Sequence, residues 1–396
     1  MSREFLKSER IRVLVNGIHA KSGGGITYLR NILPILAEDL ELEIHLFVHR
    51  DQFSLFGIVD ERVRIHLLSY PNGFFSNLLW EQFALPVLAK VMSVDVTVSP
   101  ANYGPLVAPS PIIMLRNSLA VVGKETRPVK RLYWAGLTIM TALSLLTCKR
   151  AIAVSNYARK ALTFGIGQKL MKKVTIIHHG VKETYSPGEK VERCNYLLAV
   201  SDIYVQKNLH TLIQALVLVR KSFPDIHLKV AGKAIDKGYL QEINDSIQIN
   251  EIGDSIEFIG EQSAEELLEY YRQCKIFVFP STVETFGNPL VEAMACGTPV
   301  LSSNSAAMPE ILGDAALFFD PLNAQEMANC IEKVLGDEEM QSELAKKSLR
   351  QAKKYSWQIT ARKTAKVIKE AVPDRYLRVT SNENNSSNHP PVQTTP

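Results

Sequence analysis

Two glutamates, Glu284 and Glu292, lie with seven residues between them in the stretch Pro280-Ser281-Thr282-Val283-Glu284-Thr285-Phe286-Gly287-Asn288-Pro289-Leu290-Val291-Glu292. Asn288 can cap a helix, Pro289 suits a first helical turn, and Gly297 with Pro299 ends it, so residues 289–296 read as a short helix opened by a loop. The free N–H groups and positive dipole end at such a start would hold a diphosphate. Glu284 precedes the helix and Glu292 lies one turn inside it, so both carboxylates can reach one ligand from different sides. Taken singly, Glu284 would read as a solvated loop residue and Glu292 as a surface charge. The intervening Phe286-Gly287-Asn288-Pro289 loop and apolar run 290–295 favour a site. No Asp-x-Asp and no His/Cys cluster with metal-ligand spacing occurs, so no metal or other cofactor is expected.

The surrounding elements must place this loop at a strand end. Residues 12–15 read as a strand, 16–25 as a loop ending in Gly23, Gly24 and Gly25, and 26–37 as a helix. Apolar runs at 43–48, 63–68, 94–98, 112–115, 151–154 and 174–177 alternate with helix-length segments such as 78–91. After a polar stretch, 182–193, a second series starts: strands 196–200, 227–231, 256–259, 276–279 and 299–302, helices 209–222, 264–273 and 289–296. Alternation of this kind predicts an α/β chain of two doubly wound parallel-sheet domains, with ligands in the cleft at the strand carboxyl ends. The expected division is 1–183, then 184–355, with a helix at 356–371 returning to the first domain and a disordered Asn/Ser/Thr/Pro-rich tail at 374–396.

Composition narrows the class. The chain has 396 residues, 46% hydrophobic and 22% charged, enough for two ordinary cores. A formal net charge of +4, spread through the chain, argues against nucleic-acid binding. Five cysteines without a CxxC pair fit free thiols in a reducing compartment. The N-terminal charges leave no apolar signal segment, so a cytoplasmic location is expected. The uncharged run 132–148, preceded by Lys124, Arg127, Lys130 and Arg131, is short for a spanning helix. It reads as a core helix or as a peripheral contact with the inner membrane face.

The Glu284–Glu292 spacing resembles the motif of retaining glycosyltransferases of family 4, which have the GT-B fold. The resemblance runs from about Val13 to Ala371. It rests on Gln206-Lys207-Asn208, Val230-Ala231-Gly232, Phe258-Ile259-Gly260 and Phe279-Pro280-Ser281, and more loosely on the triple glycine, Trp80-Glu81-Gln82 and Ala153-Val154-Ser155. It implies transfer of a sugar from a nucleotide-diphosphate sugar to a saccharide or lipid-linked saccharide, as in cell-surface polysaccharide or lipopolysaccharide synthesis. By the same resemblance Lys207 would neutralise the donor diphosphate and Glu284 would bind hydroxyls of the donor sugar. The backbone amides of Phe286, Gly287, Asn288, Pro289 and Leu290 would bind sugar or phosphate oxygens, and Glu292 the nucleotide ribose. Gly24 and Gly25 would let the first-domain backbone approach the phosphate.

Two positions depart from the family pattern. Where relatives carry Gly-Arg ahead of the lysine, this chain has Ser201-Asp202, and where many have a histidine after a middle strand it has Arg116-Asn117. Arg116 would supply the missing cation. His178 and His179, before Gly180, read as hinge residues. The competing readings are a GT-B epimerase, an inactive sugar-nucleotide-binding partner, and, more weakly, a nicotinamide dehydrogenase, against which the absence of GxGxxG argues.

Overall fold

The computed structural model describes residues 10–21, 23–57, 59–118, 128–163, 168–189 and 192–372, with no side-chain description for 128–130, 168 and 169. The expected tail at 374–396 and the basic residues Lys124 and Arg127 lie outside the described residues, as does the side chain of Lys130.

The first sheet is built from β1 (Ile11–Asn16), β2 (Leu42–His49), β3 (Arg64–Leu68), β4 (Val96–Ser99), β5 (Pro111–Leu115), β6 (Arg150–Ala153) and β7 (Val174–Ile176). Its helices are α1 (Gly23–Ala37), α2 (Phe74–Leu79), α3 (Leu85–Val91), α4 (Pro128–Thr147), α5 (Asn156–Leu162) and α6 (Gln168–Met171). The second sheet comprises β8 (Cys194–Val200), β9 (His227–Ala231), β10 (Ile256–Gly260), β11 (Cys274–Phe279), β12 (Val300–Ser303) and β13 (Ala316–Phe319). Around it lie α7 (Leu209–Val219), α8 (Lys237–Ile249), α9 (Ala264–Gln273), α10 (Asn288–Ala295), α11 (Met308–Leu312), α12 (Ala324–Leu335) and α13 (Glu338–Ala352), and the described chain ends with α14 (Trp357–Ala371).

Strand order is β3-β2-β1-β4-β5-β6-β7 in one sheet and β10-β9-β8-β11-β12-β13 in the other, and the pairings are parallel. Each order reverses once, between β1 and β4 and between β8 and β11, and open α/β sheets bind ligands at such reversals. Strand interiors are continuous apolar runs buried on both faces, as parallel sheets require: Val13, Leu14, Val15 in β1 and Ile276, Phe277, Val278 in β11.

Two expectations about elements need correction. The first helix starts at Gly23, not at 26, so the triple glycine forms its first turn. The expected linker at 182–193 is not a free tether: Tyr185 is buried, and Arg272 donates to the Ser186 carbonyl (2.8 Å) and hydroxyl (3.0 Å). The segments joining the two sheets run side by side, with a bridge between Val181 and Ser356, and at Gly180 a Cβ would collide with the Trp357 backbone. α14 then lies along α1, where Tyr28 and Thr364 share a hydrogen bond (3.2 Å) and Lys369 pairs with Asp39 (2.8 Å) and Glu41 (2.6 Å).

Candidate active site

The loops after β8 and β11, on either side of the second reversal, carry the two residues singled out for chemistry. Lys207 ends a short turn, Val205–Lys207, and Asn208 follows with left-handed backbone (φ 58°) before α7 begins. Asn208 holds that turn in place through its buried amide, which donates to the carbonyls of Pro280 (2.9 Å) and Pro321 (2.6 Å). Lys207 thereby reaches Glu284 and forms an ion pair with it, its ammonium lying between the rings of Tyr204 and Phe279. Burial alone would lower the lysine's pKa, but the carboxylate of Glu284 and the nearby Tyr204 raise it above the usual lysine value. The ammonium therefore stays charged at neutral pH.

The start of α10 differs from the expected cap. Gly287, with φ 87°, occupies the cap position, and Asn288 is the first helical residue and caps nothing. Its side chain instead crosses to the first domain, where His179 Nδ1 lies 3.1 Å from Asn288 Oδ1. The expected run of amide donors also shortens. Proline has no N–H, and the N–H of Leu290 is bonded to the Gly287 carbonyl (3.0 Å), which leaves Phe286, Gly287 and Asn288 to point donors at a ligand. The Phe286 side chain is buried between His178, His179 and Tyr355 and serves packing.

Glu292 accepts a hydrogen bond from the Tyr271 hydroxyl (3.0 Å). Burial pushes its carboxyl up to about 7, against the lowering effects of that hydrogen bond and of Lys182.

Arg116 follows β5 and faces this loop across the domains. Thr285 donates its hydroxyl to the Arg116 carbonyl, and the guanidinium lies against α1's first turn: a Cβ on Gly25 would sit 2.7 Å from Arg116 Nη1, and one on Gly24 3.5 Å from Nη2 and 3.6 Å from Asn288 Nδ2. Gly24, Gly25, Arg116 and Asn288 thus meet at one point. Burial lowers the guanidinium's pKa to about 10, partly opposed by Tyr28, so it remains charged at neutral pH, and no carboxylate among the described residues pairs with it. Asp202, whose sign was the concern, accepts a hydrogen bond from the Lys233 backbone N–H (3.2 Å) in an exposed loop.

His179 is neutral: burial, helped by Arg116, pushes its pKa down to about 3. Its ring packs among Tyr28, Phe286 and Trp357. His178 contacts Glu310 (3.1 Å), whose carboxylate also accepts from the N–H groups of Asn156 (2.7 Å) and Tyr157 (3.1 Å) at the start of α5, pinning the domains together. The sequence reading missed Thr285 and Glu310. A hydroxyl in the loop and a glutamate early in a helix carry no local signal of a partner more than 150 residues away. No group of three His, Cys, Asp or Glu suited to a metal occurs among the described residues.

Two parallel-sheet α/β domains joined in this way define the GT-B class. The crystal structure of Anabaena Alr3699/HepE in complex with UDP and glucose superposes with a TM-score of 0.72 at 17% identity, over 91% of this chain and 100% of that one. Residues 182–351, which include Lys207, Glu284 and Glu292, match the family described as Glycosyl transferases group 1. That match is confined to the second domain of the GT-B scaffold. Among similar proteins, the serotype-specific mannosyltransferase WbdA of Escherichia coli is 33% identical over 182 residues, 46% of this chain but only 22% of that protein. The O-antigen chain mannosyltransferase RfbU of Salmonella typhimurium is 27% identical over 333 residues, 79% of this chain and 88% of that protein.

Proposed function

We propose that the chain is a retaining glycosyltransferase that moves a sugar, mannose by its similarity to the mannosyltransferases above, from a nucleotide-diphosphate sugar to a saccharide or lipid-linked saccharide acceptor in cell-surface polysaccharide synthesis. The observation that carries this reading is the electrostatics of the cleft. A guanidinium that pairs with no carboxylate among the described residues and a charged lysine, itself paired with Glu284, accompany the N–H groups of the α10 start, and a diphosphate would supply the negative charge that Arg116 lacks.

In the bound state Lys207 and Arg116 hold the diphosphate from the two domains, and the amides of Phe286, Gly287 and Asn288 contact phosphate or sugar oxygens. Glu284, paired with Lys207, orients the sugar hydroxyls, and Glu292 takes the ribose. As the glycosidic bond to phosphate breaks, charge grows on the leaving diphosphate, where the two cations act. In the retaining course the acceptor approaches the face from which the diphosphate departs, and a leaving phosphate oxygen takes the acceptor proton. Steady-state kinetics test this: Lys207→Ala and Arg116→Ala each raise donor KM about tenfold or more and lower kcat, the scale of a lost charged hydrogen bond. Unchanged donor KM and kcat in both would overturn the assignment.

A peripheral membrane contact is part of the proposal. Phe75, Leu79, Phe83, Val87 and Val91, every fourth residue along α2 and α3, are exposed, and so are Leu132, Tyr133, Ile139, Leu143 and Leu146 on α4. Phe74 and Tyr133 pack edge to face at 5.1 Å, so the two rows adjoin. Exposed Lys90, Arg131 and Lys149 accompany them, a combination that suits an anionic lipid surface. No helix among the described residues is long and apolar enough to cross a membrane. Flotation with phosphatidylglycerol-containing vesicles should carry the wild-type protein and not the Phe75→Glu/Phe83→Glu variant; equal flotation of both, or none for the wild type, rules the contact out.

A further inference from the structure

His179 and Asn288 stand 109 positions apart in the chain and belong to different domains, yet each is the other's side-chain hydrogen-bond partner among the described residues. His179 follows β7, directly before the Gly180 at which the chain passes towards the second domain, and Asn288 opens α10.

Packing alone is a poor account of a histidine here. The ring is buried among Tyr28, Phe286 and Trp357, whose centres lie 5.5, 5.1 and 5.6 Å from its own. Burial and the Arg116 charge keep it neutral, so it carries a single N–H. Asn288 presents its carbonyl oxygen to Nδ1 at 3.1 Å, and an oxygen can only accept, so that hydrogen sits on Nδ1. Nε2 is then a bare lone pair, buried and without a hydrogen-bond partner among the described residues. An unpaired buried nitrogen lowers stability, and a phenylalanine ring would fill the space without one. What histidine contributes beyond packing is the Nδ1–H.

That N–H decides which end of the Asn288 carboxamide faces the cleft. With Oδ1 held by His179, Nδ2 faces the first turn of α1. A Cβ on Gly24 would sit 3.6 Å from Asn288 Nδ2 and 3.5 Å from Arg116 Nη2, so amide and guanidinium donors both lie within reach of one point. Asn288 Nδ2 donates to no acceptor among the described residues. Turned over, the same amide would point Oδ1 at Arg116, satisfy the guanidinium and set its lone pairs against a phosphate oxygen. One amide orientation receives an anion at this point and the other repels it.

We propose that His179 is a positioning residue for donor binding, whose Nδ1–H fixes the Asn288 carboxamide so that Nδ2, together with Arg116, donates to the donor diphosphate. Asn288 touches the ligand and His179 acts through it. This rests on the glycosyltransferase reading above and deepens it: a residue of the first domain sets part of the anion site carried by the second, so the site is complete only when the domains are together.

The test titrates UDP, GDP and ADP calorimetrically into the full-length wild type and carries the tightest binder into a double-mutant cycle of His179→Phe and Asn288→Ala. His179→Asn is the conservative variant, because its amide nitrogen can donate from the place of Nδ1. Each single substitution should weaken binding about tenfold, the scale of one hydrogen bond to a charged group. The double variant should lie within about twofold of the weaker single variant, because the second change removes an interaction already lost. His179→Asn should bind about fivefold tighter than His179→Phe. The melting temperature of His179→Phe should stay close to that of the wild type, since Asn288 is half-exposed and water can satisfy its freed oxygen. Wild-type affinity in Asn288→Ala, or in folded His179→Phe, overturns the proposal. So do losses that multiply to about a hundredfold in the double variant, or a His179→Asn protein that binds no tighter than His179→Phe. A His179→Phe protein that melts far below the wild type makes the ring structural and overturns it as well. A wild type that binds none of the three diphosphates removes the glycosyltransferase reading, and this inference with it.

Discussion

Glu292 is the residue whose chemistry is most open to measurement without any substrate. In the folded chain its carboxyl takes up a proton near pH 7, pushed there by burial, and in the unfolded chain near the usual 4.5. Between those values the folded form binds more protons, so this group makes stability fall as pH rises from about 4.5, with the loss complete above about 7 and on the order of 3 kcal/mol at most. Glu292→Gln cannot ionise. Its melting temperature relative to wild type should climb between about pH 5 and 8, and parallel melting curves across that range would contradict the burial argument. A donor whose ribose hydroxyls bond the ionised carboxylate reverses the effect and releases a proton on binding. Glu284 and Glu292 stood out in the sequence through the loop and cap chemistry around them, and Lys207 through the resemblance alone. Glu81 stood there only as part of Trp80-Glu81-Gln82; its burial against Asn16, 65 positions away, had no local signal.

At the scale of elements, the α1 start shows how far local rules reach. Three consecutive glycines read as a loop because glycine is the poorest helix former after proline, yet they form the first turn. The reason is tertiary: the Arg116 guanidinium lies where a Cβ on Gly25 would be. Gly25→Ala should therefore separate two effects. Helix propensity improves by up to about 1 kcal/mol, so the unliganded protein should melt no lower than wild type. Displacing the guanidinium should weaken donor binding by about tenfold, the scale of one charged hydrogen bond. Retained donor affinity would mean that Arg116 does not contact the diphosphate. The row Phe75, Leu79, Phe83, Val87, Val91 shows a related limit: residues 78–91 read as a helix, but this apolar row is exposed, since Asn77, Glu81, Leu85 and Ala89 take the inward positions.

At the scale of the whole molecule, the two-sheet plan followed from the alternation of short apolar runs with helix-length segments, because parallel strands buried on both faces leave continuous Val, Ile, Leu and Phe runs. What escaped lay where that signal thins. β13 is four residues long, and α8 buries only Tyr239 and Ile243 among polar neighbours, so neither stood out. Of the relation between the domains, only the return of a helix at 356–371 was readable. Across the cleft it rests on single long-range bonds, Thr285 to the Arg116 carbonyl, His179 to Asn288, and Glu310 to the start of α5. These bonds bring the two proposed phosphate-binding cations onto opposite walls of one cleft. The most direct test of that arrangement is a thermal-shift panel of UDP-, GDP-, ADP- and CMP-sugars at millimolar concentration against wild type and the Lys207→Ala/Arg116→Ala double variant. One nucleotide class should raise the melting temperature of the wild type and leave the double variant unmoved. No shift in the wild type with any of the four, or an equal shift in both proteins, would contradict it.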